Sequence, residues 1–287
     1  ARYGVNAPTT GVATPRKQTA AFGNVLEHLN KSEDYAFTGT IQLQKRFSNG
    51  VEFNGGYTYS EAKDAMSLTS SIAFSNYGFA TLNGLLNDRD LTTSTFSRPH
   101  RVVLSGTVDL PADFEFSLIY SGVSGSPYGY VINGDANADG VGGTNREFND
   151  MVYVPRDRDD ISMFGASSAA QNAAYDSLAN FIADQSCLRN QRGQIMERNS
   201  CQNPWINRMD ARLTKVVPTF AGQTMILALD VFNLLNLIDS DWGLVKQTSA
   251  FEGQTLVRLR GWDNLNNRGI YSLSLPIVNR VDPNSSV

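Results

Sequence analysis

Strict two-residue alternation on either side of a short turn constrains this chain more than any other feature, and it is plainest between Trp205 and Asn236. Side chains of an extended segment point alternately to opposite faces. Arg208, Asp210, Arg212 and Thr214 therefore share one face, and Met209, Ala211 and Leu213 the other. After Pro218–Gln223 the rule resumes: Met225, Leu227, Leu229 and Val231 oppose Thr224, Ala228 and Asp230, with Ile226 as the exception. A two-faced hairpin of this kind suits a sheet packed on a soluble core, and equally a sheet whose apolar face meets lipid. Its surroundings have to decide.

Two more hairpins carry the same signature. From Ala36, Phe37, Gly39, Ile41 and Leu43 alternate with Thr38, Thr40, Gln42 and Gln44; Ser48-Asn49-Gly50 supplies a tight turn, and Val51, Phe53, Gly55, Tyr57 and Tyr59 return opposite Glu52, Asn54, Thr58 and Ser60. Then Val102, Leu104, Gly106, Val108 and Leu110 run to a turn at Pro111-Ala112-Asp113, and Phe114, Phe116, Leu118 and Tyr120 return against Glu115, Ser117 and Ser121. Between the hairpins lie long stretches without period, residues 61–97 and 124–203, read as irregular connections. All short turns thus fall at one end of the strands and all long connections at the other. Compact soluble domains rarely tolerate several structureless connections beyond about 12–15 residues. Transmembrane barrels have this asymmetry as a rule.

The polar faces agree. They carry Thr, Ser, Gln, Asn and paired Arg and Asp rather than scattered Lys and Glu, as a hydrated lumen would. Aromatics gather near strand ends (Phe37, Phe47, Tyr57, Tyr59, Phe114, Trp205), where interfacial girdles sit. No run of about 18 apolar residues exists, which excludes a membrane-crossing helix but not barrel strands of about 9–11 residues. The net charge of -4, without clustered Lys and Arg, argues against a nucleic-acid partner. The start, Ala-Arg-Tyr-Gly, is neither a signal peptide nor an initiating Met, so a longer product is expected.

The predicted fold class is all-β: part of a large antiparallel transmembrane β-barrel, with about six spanning strands as three hairpins and long extracellular loops. The divisions are 1–35, an extracellular loop; 36–124, two barrel hairpins with an intervening loop; 125–203, a long extracellular loop; 204–237, the third hairpin; and 238–287, a last loop. Within that last loop Thr255–Leu259 and Ile270–Leu275 read as a hairpin, and a closing strand is expected beyond Val287. About six strands cannot close a barrel in lipid, so the remainder of a barrel and outer-membrane lipid are predicted partners.

Specific runs resemble a known family. Phe22-Gly23-Asn24-Val25, Gln44-Lys45-Arg46-Phe47-Ser48-Asn49-Gly50, Tyr57-Thr58-Tyr59-Ser60, Arg98-Pro99-His100-Arg101, Asn207-Arg208-Met209-Asp210-Ala211-Arg212 with Lys215, and above all Asp230-Val231-Phe232-Asn233-Leu234-Leu235-Asn236 are similar to the late barrel strands of Oar-like TonB-dependent outer-membrane receptors. The resemblance covers most of the chain in register. It implies a barrel of about 22 strands, filled by a plug and driven by TonB to move a ligand across the outer membrane. The plug, the TonB-contacting segment and the earlier strands of that pattern are absent from this sequence. Two alternatives stand beside it: a soluble calcium-binding β-sandwich for adhesion or carbohydrate binding, and a structural surface protein acting through its loops.

Few residues suggest chemistry. Asp135, Asn137 and Asp139 at alternate positions, Gly140 next and the Val141 carbonyl after it follow the spacing of a calcium loop, because alternate residues of a tight loop converge on one cation. Position twelve is Arg146 rather than an acid, with Glu147 next to it, so Asn149 or Asp150 would have to complete the shell; an Asx-rich turn without metal is the alternative. Cys187 and Cys201 predict a loop-closing disulfide in an oxidising compartment. Arg208, Asp210, Arg212 and Asp230 are expected to pair across the lumen wall. The run Arg156-Asp157-Arg158-Asp159-Asp160 reads as a solvated loop face. His28 and His100 are isolated, Ser124-Gly125-Ser126 lacks nucleophile-elbow spacing, and no catalytic constellation emerges; the chain is not expected to be an enzyme.

Overall fold

A computed structural model describes residues 21, 25–27, 29–85, 88–137, 141, 149–248, 253–263, 265–266, 268–283 and 285. Its main elements in chain order are β1 (Tyr35–Arg46), β2 (Val51–Asp64), α1 (Ala73–Phe79), β3 (His100–Leu110), β4 (Phe114–Val123), β5 (Pro127–Asn133), β6 (Ser162–Met163), α2 (Ser168–Asp184), β7 (Ile206–Pro218), β8 (Thr224–Val231), α3 (Leu234–Ile238), β9 (Gly253–Asp263) and β10 (Arg268–Leu273). Strands of two residues elsewhere are named by their residues.

The three hairpins are one antiparallel sheet in the order β1-β2-β3-β4-β7-β8. Register fixes its faces. Gly55 pairs with Leu104, Leu104 with Tyr120 and Tyr120 with Met209, so the apolar rows of all three hairpins coincide. One residue along, Asn54 pairs with Ser105, Ser105 with Ile119 and Ile119 with Asp210, and the polar rows coincide as well. The apolar face is uncovered: Leu104, Leu227 and Leu229 are 39%, 52% and 62% exposed. In a soluble sandwich these side chains would be buried between two sheets, so that alternative is overturned. An uncovered apolar sheet face of this extent is the geometry of lipid contact. Accordingly Leu104→Arg, central on β3, is expected to cost about 2–4 kcal/mol and sharply lower the amount of protein assembled in outer membranes, whereas Ser105→Arg on the other face is tolerated. Membrane fractionation checks both.

The turns lie together at one end. Gly50 takes φ +74°, which closes the first, and an added Cβ there would also come within 2.7 Å of the Asp109 carboxylate. Ala112 and Asp113 close the second at φ 63° and 59°, and Ala221 sits at φ 58° in the third. The third hairpin is shorter than the alternation suggested. β8 ends at Val231, Asn233 turns left-handed at φ 50°, and Leu234–Ile238 is helical. Leu-Leu-Asn-Leu-Ile satisfies strand and helix patterns alike, and the left-handed Asn decides between them.

The larger correction concerns the loop end. Residues 61–97 and 124–203, expected to be irregular, contain α1, α2 and several strands. The stretch joining the second and third hairpins, with the last segment, forms a cap holding the main hydrophobic core among the described residues. Its sheet runs β6-β10-β9-β5 and then Cys201–Gln202. β9 and β10 pair antiparallel, as their alternation predicted, while β9 lies parallel to β5, which joins chain segments far apart in sequence. α2 packs Tyr175, Leu178 and Ile182 into that core, on positions three and four apart. Ser167 caps it, its hydroxyl accepting from the Ala170 N–H at 3.3 Å.

Candidate functional site

Two places concentrate polar side chains: the polar wall of the spanning sheet and the joint between that sheet and the cap. On the wall, hydrogen bonds run between neighbouring strands. Thr40 and Thr58 hydroxyls lie 3.0 Å apart, Thr107 and Ser117 3.1 Å, and Arg46 meets Glu52 at 2.7 Å. Arg212 and Asp230, opposite in register, pair at 2.8 Å. The hydroxyl pair of Thr107 and Ser117 is half-buried, whereas the two ion pairs are largely exposed and contribute at most about 1 kcal/mol each. The other two members of the expected pairing set behave differently. Asp210 accepts the Asn233 N–H at 2.7 Å and so directs the turn after β8. Arg208 stands opposite Ser121 and, among the described residues, has no ion pair.

At the loop end of the apolar face, rings gather. His100 lies 6.1 Å from Tyr57, 5.7 Å from Tyr59 and 6.3 Å from Trp205, and its Nδ1 is 2.8 Å from the Tyr57 hydroxyl. The Tyr120 hydroxyl donates to Asn207 at 2.6 Å. Tyr120 and Trp205 lean over Gly122, where a Cβ would come within 2.6 Å of the Tyr120 hydroxyl and 2.8 Å of the Trp205 indole nitrogen. An apolar body with a polar tip is what the boundary between lipid and water selects. His100 thus belongs to this rim, while His28 lies outside the described residues.

The joint centres on Arg198, whose side chain is fully buried. Its guanidinium pairs with Asp64 at the end of β2, donates to the Asp64 carbonyl at 2.6 Å and to Thr92 Oγ1 at 2.9 Å, and reaches Ser67 Oγ at 3.3 Å. The Arg198 N–H donates to Asn83 Oδ1 at 3.0 Å. Asp64 also accepts from Ser67 at 2.8 Å and Ser94 at 2.5 Å. Asn199 adds bonds to the Thr93 carbonyl and to Thr95. Three separate segments are thereby tied to one strand end. The segment presenting Arg198 is closed by a disulfide between Cys187 and Cys201, with Cα atoms 5.2 Å apart. Sequence reading missed Arg198. Its only signal was an arginine inside a short cysteine-closed segment.

The calcium-spaced loop is seen from its two ends. Asp135 and Asp150 are 5% and 7% exposed, Asn149 and Val141 are buried, and Asp150 Oδ2 accepts the Ala136 N–H at 2.7 Å. Asp139, Arg146 and Glu147 lie outside the described residues. Among the described residues, no three His, Cys, Asp or Glu side chains gather as a metal site would require. Burial and, less strongly, the nearby Asp150 charge push the Tyr271 phenol up to about 12.

The Arg156–Asp160 run is exposed at Arg156–Asp159, as a solvated loop face, and it also makes specific pairings. Arg156 pairs with Asp160 at 2.7 Å, and its hydrogen bonds hold the Asp160 carboxyl well below the usual range. Arg158 pairs with Asp176 of α2 and lies 4.8 Å over the Tyr175 ring. Arg268 of β10 donates to the Asp159 carbonyl at 2.9 Å. The run is a joint within the cap.

Compared with known proteins, residues 2–241 match a family model described as an outer membrane beta barrel domain. No curated protein and no solved structure matches the chain.

Proposed function

We propose, from the premise that the chain belongs to the outer membrane beta barrel domain family, that this outer-membrane protein works as a TonB-dependent receptor that carries a ligand across the membrane. The observation that carries this reading is the division of labour along one sheet. A mainly polar wall, with a few aliphatic side chains toward the loop end, faces away from lipid, and that end is tied to a folded cap rather than to loose loops. A wall of hydroxyls, amides and balanced charges supports passage of a hydrated solute, and a folded cap supports selection at the entrance. The runs ending in Asp230-Val231-Phe232-Asn233-Leu234-Leu235-Asn236, which resemble Oar-like receptors, support the TonB-dependent class.

In this reading the strands that complete the barrel pair with the free edges of β1 and β8, a plug fills the lumen, and TonB is the energising partner. Formaldehyde cross-linking in cells that display the tagged full-length protein is expected to capture TonB, and a protonophore is expected to change the yield of that adduct. Surface display without any TonB adduct overturns the transport reading. It selects instead a surface protein acting through its loops, an alternative favoured by the cap's own hydrophobic core.

A further inference from the structure

The polar wall does not use its arginines alike. Arg46 and Arg212 are neutralised by Glu52 and Asp230. Arg101 and Arg208, nearer the cap, have no acceptor among the described residues. Register places them close together. Arg101 is opposite Val123 on β4, Val123 is opposite Ile206 on β7, and Arg208 lies two residues further along β7. Two strand spacings across and two residues along put their Cα atoms about 12 Å apart, near enough for two long side chains to approach one ligand.

What lies between them departs from the rest of the wall. On β4 Val123 and Ser121 lie between them, and Val103, 42% exposed, and Ile206 flank that pair on β3 and β7, so aliphatic side chains share the polar face there. Aliphatic side chains on a hydrated wall gain nothing from water, and two unneutralised guanidinium groups repel one another. Both features are relieved by one kind of occupant. We propose that Arg101 and Arg208, with the aliphatic floor between them, form a site for an apolar anion: a ligand with an aromatic or aliphatic body whose carboxylate, sulfonate or phosphate group is shared by the two guanidinium groups. This deepens the transport reading and rests on the polar face lining an aqueous lumen.

Naphthalene-2-sulfonate is the probe, titrated calorimetrically into the full-length protein in neutral detergent, with naphthalene-2-methanol as the uncharged control. The sulfonate is expected to bind, and the double variant Arg101→Gln/Arg208→Gln to weaken it at least tenfold while leaving the alcohol unchanged. Equal sulfonate affinity in wild type and double variant overturns the proposal. The lumen premise is read separately with Arg208→Cys, which introduces a free thiol on the wall while Cys187 and Cys201 stay paired. Labelling by a membrane-impermeant methanethiosulfonate keeps the premise; labelling by a lipid-soluble maleimide alone removes it. Protection from both reagents means that a segment of the protein covers the patch, which also overturns the ligand site.

Discussion

Replacing Arg198 by Ala is expected to loosen the cap while sparing the spanning sheet. Removing the guanidinium leaves the Asp64 carboxylate at the end of β2 without its cation, and leaves Thr92 and Ser67 short of donors that now reach them from one side chain. Breaking a buried pair by deleting one partner costs about 3–5 kcal/mol, because the remaining charge is desolvated and uncompensated. Limited proteolysis in outer-membrane vesicles reads the cap, and gel heat-modifiability reads the barrel. The cap is expected to become cleavable at a much lower denaturant concentration, with the barrel transition unmoved. Arg198→Lys does not restore it, since a point-charge ammonium cannot serve Asp64, Thr92 and Ser67 with the planar fork they face. Arg198→Met with Asp64→Leu recovers part of the loss, because no orphan charge is left behind. An unchanged cap in Arg198→Ala would show that the joint is not what fastens it.

Opening the Cys187–Cys201 bridge comes next in size. The two cysteines are 14 residues apart, and a closed loop of that length restricts the unfolded chain by about 3 kcal/mol. Here the closed segment presents Leu188, Met196 and Arg198, all fully buried. Releasing it affects the core and the joint together. Cys187→Ser/Cys201→Ser is expected to lower the proteolytic midpoint of the cap, and thiol reduction of the wild type to reproduce the effect. Combining the double Ser variant with Arg198→Ala is expected to cost less than the sum of the two, because both act on one segment. Strict additivity would argue that the bridge and the joint stabilise different parts of the cap.

The spanning sheet was legible because lipid on one side and polar surroundings on the other write themselves onto every second residue. Leu227 and Leu229, or Thr38 and Thr40, reveal their faces without knowledge of any partner. The cap was illegible for the opposite reason. Tyr128–Ile132 of β5 is buried throughout, so its two faces do not differ and no alternation marks it. α2 buries Tyr175, Leu178 and Ile182 along 17 residues, with Ala174, Ala179 and Phe181 only partly buried beside them, a stripe too thin to stand out against its alanines. The wall site was half visible. Sequence gathered Arg208, Asp210, Arg212 and Asp230 onto one face, but not which of them pair.

By itself, then, the amino-acid order determined three hairpins, the face that each turns to lipid, the end at which the short turns lie, and the cysteine pair. Local alternation and turn chemistry act over neighbouring residues and need no distant contact. Tertiary structure alone decided that the long connections fold into a cap with its own core, that β5 and β9 lie side by side, and that Arg198 reaches Asp64. It also decided that Arg208 is left without the acid that Arg212 has. Each of these depends on which distant segments meet, and a pairing between residues separated by 134 positions leaves no periodic trace in the sequence.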